Sequence, residues 1–314
     1  MSRFAEVIER NRVGRSRQRK AANTVMLSFT GLLTALAIIP LFWIIGYVVY
    51  LGGKNINLDF FIHLPRPLGM TGGGVLSAIE GTLVVTFLAA LFAIPPGVLA
   101  AFYAARYPNT TLGVVLRFST DVLSGVPSIV VGLFAYAALV VPMGHYSGLA
   151  GGAALAVVML PTIIRTTEEM LKLVPATLRE ASLGLGAPEW KTSLSVLFPA
   201  ASSGIITGFL LALARAAGET APLLMTTLGN ERFDIGQIFR AGMQGHKSVF
   251  TILWSIVNQP VDSLPLALWK YAQQPYPERV QQAWAVALVL MLFVLIINVT
   301  ARLWIQNRRR RMKG

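Results

Sequence analysis

An arginine and a glutamate four residues apart, Arg215 and Glu219, stand in an otherwise apolar run, within Ala214-Arg215-Ala216-Ala217-Gly218-Glu219-Thr220-Ala221-Pro222. On a helix this spacing puts both side chains on one face, where they can form an ion pair. An unpaired arginine at the centre of a bilayer costs about 3 kcal/mol on insertion scales, so the pair must face protein or water. Two chemistries fit. The pair, together with Asp121, can tie helices into a structural ion network. Alternatively, Arg215 offers its planar fork of donors to an anion passing through a helix bundle, and Glu219 holds the fork in place. Thr220 adds a hydroxyl, and Pro222 interrupts the backbone hydrogen-bond ladder just beyond, as a pathway segment would.

A second group lies in a polar stretch between two apolar runs: Leu178, Glu180, Ala181, Ser182 and Gly186, followed by Val196-Leu197-Phe198-Pro199. Pro175 suits the first turn of a helix and Ala176 to Leu183 is rich in helix formers, with Leu178 and Ala181 or Ser182 available to one face. Gly184 and Gly186 should stop that helix, and Pro188 can open the next. The expectation is a helix, a sharp turn and another helix. Ala181 and Ser182 permit close approach, Leu178 and Leu185 supply apolar contact, and Glu180 can meet a basic groove, so the segment suits docking of a separate protein. A plain elbow between membrane spans fits the same residues.

The elements that position these groups follow from composition. Hydrophobic residues make up 54% of the 314 and charged residues 13%, which is the balance of an integral membrane protein rather than a soluble domain. Cysteine is absent and the three histidines, His63, His145 and His246, are far apart, so neither disulfides nor a metal centre is expected. The chain has no phosphate-binding loop ending in Gly-Lys-Ser or Gly-Lys-Thr, no nucleophile elbow and no His-Glu-x-x-His. Catalysis and a cofactor are therefore not expected in this chain. Uphill movement of a solute must draw on a partner or an ion gradient.

At about 20 apolar residues per crossing, the expected fold is an all-α membrane protein with six spans, at 24–51, 75–105, 118–142, 149–164, 200–228 and 283–305. The net charge of +13 is concentrated at the two ends, in Arg10, Arg12, Arg15, Arg17, Arg19 and Lys20 and in Arg308 to Arg311 with Lys313. Each cluster flanks an apolar span, which assigns the charge to topology rather than to nucleic acid and places both termini in the cytoplasm. The basic run before the first span is too polar and too long for the start of a cleaved signal peptide, and no small-residue cleavage site closes a short apolar core, so the span should remain as a helix. The organisation expected is a basic segment at 1–23, a permease domain at 24–305 and a basic tail at 306–314. The domain includes an inner loop at 166–199 and a long outer loop at 229–282.

Several positions predict bent or closely packed helices. Pro95 and Pro96 should kink the second span. Gly125, Gly132, Gly148, Gly151 and Gly152 keep side chains small in the third and fourth spans, so backbones can approach. The outer loop, with Pro260, Pro265, Pro275 and Pro277 among Trp254, Trp269, Tyr271 and Tyr276, should hold short interfacial helices. Within it, 249–257 is apolar but too short to cross.

Glu180-Ala181-Ser182, then Gly186, then Val196-x-Phe198-Pro199 resembles the Glu-Ala-Ala, Gly, Ile-x-Leu-Pro loop of permeases from bacterial ATP-binding-cassette importers. Ser182, Val196 and Phe198 are mild departures from that pattern. A narrower likeness covers Gly125-Val-Pro-Ser-Ile-Val-Val-Gly-Leu-Phe134, Val174 to Gly186, Arg215 to Leu224, Ser263-Leu-Pro265 and the last apolar run. Together these blocks are similar to phosphate importer permeases of the PstA type. The resemblance implies the six-helix type I importer permease fold in a bacterial inner membrane. It makes the helix around Leu178, Glu180, Ala181, Ser182 and Gly186 a coupling helix that docks on an ATPase. It also implies a companion permease (PstC type), a dimeric ATPase (PstB type) that carries ATP and Mg, and an external phosphate-binding protein (PstS type). Arg215, Glu219 and Thr220 would then belong to the substrate path. The rival readings are the same machine carrying sulfate or molybdate, a gradient-driven carrier or channel, and a membrane enzyme or scaffold. Neither inverted repeats nor several buried acids favour the carrier.

Overall fold

The computed structural model describes the backbone of residues 2–67, 70 and 72–311, with side chains described within 19–300 and at 302 and 303. The basic side chains of Arg10 to Arg17 and Arg308 to Lys313 lie outside these described residues.

All regular structure among the described residues is helical. The elements are α1 (Ser2–Gly53), α2 (Leu58–Ile62), α3 (Leu76–Arg106), α4 (Thr111–Gly125), α5 (Ser128–Met143), α6 (Gly148–Lys172), α7 (Ala176–Gly184), α8 (Glu189–Ala217), α9 (Ala221–Thr226), α10 (Ile235–Gln244), α11 (Val249–Val257), α12 (Leu264–Ala272) and α13 (Pro277–Arg311). Five of them, α1, α3, α6, α8 and α13, are long and apolar enough to cross a membrane. The pair α4 and α5 makes a sixth crossing if counted as one bent span. Side-chain caps fix several starts: Thr110 before α4, Ser147 before α6, Asp234 before α10 and Ser263 before α12 each accept a backbone N–H two to three residues into the helix.

Three expected spans are redrawn. The third is broken by 105° between Gly125 and Ser128 rather than running straight through 118–142. Pro127 has no N–H to donate and forces Val126 out of the helical region, to φ −72° and ψ 129°. The helix of the fourth runs on to Lys172, beyond the expected end at 164. The fifth starts at Glu189 and ends at Ala217; Gly218 to Thr220 break it, and α9 follows. Pro222 accounts for this break, because its ring would clash with the carbonyl of Gly218 in a continuous helix. At Pro95 and Pro96, by contrast, α3 remains a single helix.

The centre of the bundle is α3 packed along α6. A Cβ on Gly152 would lie 2.5 Å from the Leu88 Cβ, and one on Gly97 would lie 2.8 Å from Ile163 Cγ2, so glycine allows the two backbones to close up. Val85, Ala89, Leu155, Met159 and Ile163 fill this seam, and Ala212, Ala216 and Leu223 bring α8 and α9 onto it. The expected outer loop forms α10, α11 and α12, and it is part of the core rather than a cover. Ile252 and Ile256 of the apolar piece 249–257 are buried in the central cluster with Val261 and Leu266. A Cβ on Gly81 would fall 2.0 Å from the Asp262 carbonyl oxygen, and Leu264 N–H donates to Thr82 Oγ1 at 2.8 Å. The first span behaves differently. Its apolar window has no buried residue, and it touches the bundle mainly along α13, where Tyr47 meets Trp284 edge to face at 5.1 Å.

Candidate functional site

Arg215 stands in the last turn of α8, not at mid-span as the sequence suggested, because the helix ends at Ala217. Glu219 follows in the break, and its Oε1 lies 3.6 Å from Arg215 Nε. The expected pair therefore forms. The guanidinium is half exposed, so one long contact leaves most of its five donors free. Thr220 sits in the same break, half-buried, and outside the wall of the cleft that Arg215 faces.

That cleft, about 90 Å³, has room for several waters. Arg215 of α8 and Arg165 of α6 share it with the hydroxyl residues Thr120 and Ser124 of α4, Ser128 of α5 and Thr162 of α6. The break at Val126 and Pro127 brings the amino end of α5 to the cleft, and the positive end of that helix dipole adds to the two guanidiniums. Arg165 is held by two acids, Asp121 Oδ1 at 3.4 Å and Glu169 Oε1 at 3.6 Å. Asp121 thus pairs with Arg165, not with the Arg215 and Glu219 couple. Exposed ion pairs of this kind are weak, so neither arginine is neutralised as a donor. The hydroxyls of Thr120 and Ser124 donate to the carbonyls of Leu116 and Asp121, so the donors that suit a small oxyanion are the two planar forks with Ser128 and Thr162.

Arg165 was not singled out from sequence, because the fourth span was expected to end at 164. The signal available was spacing: Thr162 and Arg165 share a face of α6, as Thr120 and Ser124 share one of α4.

The segment from Pro175 to Pro199 adopts the expected helix, turn and helix. Ala187 N–H donates to the Ser182 carbonyl and Gly186 N–H to the Leu183 carbonyl, closing α7 with Gly186 at φ +81°. This is the glycine-ended helix cap that an L side chain fits poorly. Gly186 thus has a role in shaping the turn irrespective of any partner. Leu178, Glu180, Ala181 and Leu185 are exposed along one side, Leu185 at 89%. Ser182 is not part of that surface: its hydroxyl meets Thr192 Oγ1 at 2.9 Å inside the elbow.

Two acid bridges lie at this end of the bundle, and the one at Glu189 includes the elbow. Glu168 of α6 takes Arg117 Nη2 and Lys172 Nζ, each at 2.6 Å. Glu189, the first residue of α8, takes both Arg106 and Arg179. Neither carboxylate was singled out from sequence, since a glutamate in a mixed-charge stretch carries no mark of its partners.

At the opposite end Asp262 is fully buried, with Ser77 Oγ 3.4 Å from Oδ2 and Lys270 Nζ 3.9 Å from Oδ1. Burial pushes its carboxyl up to about 6, and Lys270 only partly offsets this.

The family described as "Binding-protein-dependent transport system inner membrane component" matches residues 97–314. Proteins named phosphate transport system permease protein PstA are similar along most of the chain. The one from Yersinia pestis is 38% identical over 286 residues, 90% of each chain. That from Xylella fastidiosa strain 9a5c is 42% identical over 253 residues, 80% of this chain and 81% of its own. A PstA 1 from Mycobacterium tuberculosis strain H37Rv is 34% identical and covers 94% and 92%. Among solved structures, a chain of the MetNI methionine ABC transporter in an inward-facing conformation superposes with TM-score 0.52 at 20% identity. It covers 74% of this chain and 94% of that one, a likeness of fold. The chain is thus a multi-pass membrane protein that belongs to the binding-protein-dependent transport system inner membrane components and, within them, to the PstA permeases.

Proposed function

We propose that this chain is one of two permease subunits of an ATP-driven importer for inorganic phosphate in a bacterial inner membrane. It forms half of the translocation path and passes on the work of a separate ATPase. The carrying observation is the cleft in which Arg165 and Arg215 face the same space, at the broken end of one span and the bend of another. A guanidinium pair among hydroxyls supplies a phosphate with charge and with donors that match its planar oxygen edges.

Energy enters at the elbow. The exposed side of α7, with Leu178, Glu180 and Ala181 beside Leu185, docks on the ATPase dimer, which binds ATP and Mg; this end of the bundle and both termini then face the cytoplasm. An external phosphate-binding protein delivers cargo to the other end, and a companion permease supplies the second half of the path. ATP binding closes the ATPase dimer and moves α7. The long helices rock, and the cleft opens to one side at a time. Selection of phosphate falls mostly to the binding protein, since the cleft itself offers charge and hydroxyls rather than a closed cage.

Uptake of labelled phosphate by the reconstituted complex, in competition with sulfate and molybdate, tests the reading. ATP-dependent uptake that excess phosphate suppresses and the other anions do not supports it. Uptake without the ATPase contradicts it.

A further inference from the structure

We propose that Glu189 is the strut through which movement of α7 reaches the second span, a positioning residue for coupling that is separate from the docking surface. This rests on the function proposed above. Three elements meet at one oxygen: Glu189 Oε1 accepts from Arg179 Nη2 of α7 at 2.7 Å and from Arg106 Nη2 at the end of α3. Glu189 itself opens α8, the helix that carries Arg215.

The start of α8 packs on the end of α3 through Phe198 and Phe102, but packing does not fill the space between α3 and α7. A cavity of about 220 Å³, lined by Phe102, Arg106, Leu171, Pro175, Arg179 and Leu197, separates the end of α3 from α7. Across such a gap apolar contact transmits little, and a charge-assisted bridge transmits both push and pull. The two guanidiniums are about two-thirds buried, and each has its Nε buried without a hydrogen-bond partner. Without the carboxylate they would face one another as like charges, so α7 and α3 would separate rather than move together. α7 also packs on the start of α8, where Ser182 meets Thr192, and that hydrogen bond does not involve α3. Loss of the bridge therefore leaves the elbow folded, with Phe198 still against Phe102, while removing the charged link between α7 and the second span.

The test uses the complete importer in proteoliposomes and measures phosphate imported per ATP hydrolysed, with ATPase copurification alongside. Glu189→Gln should keep copurification and ATP hydrolysis within about twofold, while import per ATP falls by about tenfold, inside the usual range of coupling between sites. Inverting every charge of the bridge, in R106E/R179E/E189R, should restore at least half of the lost ratio. An unchanged ratio in Glu189→Gln would overturn the proposal. So would loss of ATPase copurification, which would make the residue a determinant of assembly, or an inverted triple no better than Glu189→Gln. A wild-type complex that imports another anion and not phosphate would count against the function proposed above, and the ratio would then be read with that anion.

Discussion

At the scale of the residue, Arg215 combines a full charge with an incomplete set of partners. A hydrogen bond to a charged group contributes about 1.5–3 kcal/mol. Arg215→Ala should therefore lower phosphate uptake by about tenfold to a hundredfold, with the complex still assembled on size-exclusion chromatography. Arg215→Lys should recover little, because an ammonium cannot present two parallel donors. Normal uptake by the alanine variant would remove Arg215 from the path. Asp262 gives a different readout. Its carboxyl sits at about 6 when folded and near 3.8 otherwise, so the native state holds a proton that the unfolded chain releases between those values. Stability from this group is present below about pH 4, is lost as pH rises to about 6, and is level above. Thermal unfolding in detergent should show the melting temperature falling over that window, and Asp262→Asn should flatten the fall. The charge pair at i and i+4 was legible because an arginine within an apolar run has few places to go. Asp262 was not, because an acid in a proline-rich loop reads as solvated until the loop is seen packed against Gly81 and Thr82.

At the scale of the element, what decides the account is where helices stop. Gly186 has open space around its missing Cβ, so substitution there strains the backbone without a clash in this chain. Gly186→Ala should cost about 1 kcal/mol through the positive φ alone. A bulky residue at the same place adds an obstacle to the docking surface, so Gly186→Leu should lose ATPase copurification that Gly186→Ala retains. Equal copurification by both variants would confine Gly186 to the turn. Gly152 is the opposite case. Its side-chain space is filled by Leu88, and overpacking costs about 1–3 kcal/mol. Gly152→Val should lower the melting temperature without changing what copurifies. Six apolar runs were visible from composition and length, as were the elbow and its prolines. An interruption was expected at Pro222, but the break at Val126 was hidden, since a proline in a span reads equally as a kink or an end, and Pro95 and Pro96 leave α3 in one piece. Hydropathy averages over a window and cannot register a bend that two residues make.

At the scale of the molecule, the arrangement reads as a lever joined to a divided path. The elbow is tied by Glu189 to the end of α3, Glu168 joins the ends of α4 and α6 beside it, and α8 runs from the elbow to Arg215. Displacement at α7 thus arrives at the cleft along one continuous helix. The first span, with no buried residue in its apolar window, leaves a long face uncovered by the rest of this chain. The full sequence contains no cysteine, so an introduced thiol is the one thiol of this chain, and labelling is read on this subunit after the subunits are separated. The most direct measurement places one at Ser128, in the wall of the cleft, and follows its reaction with a membrane-impermeant maleimide from each side of proteoliposomes holding the complete importer. With the ATPase held in its ATP-bound state, the thiol should react from the side of the binding protein. Without nucleotide it should react from the side of the elbow. Reaction from one side regardless of nucleotide would contradict the claim that an ATPase, working through the elbow, turns the cleft around Arg215.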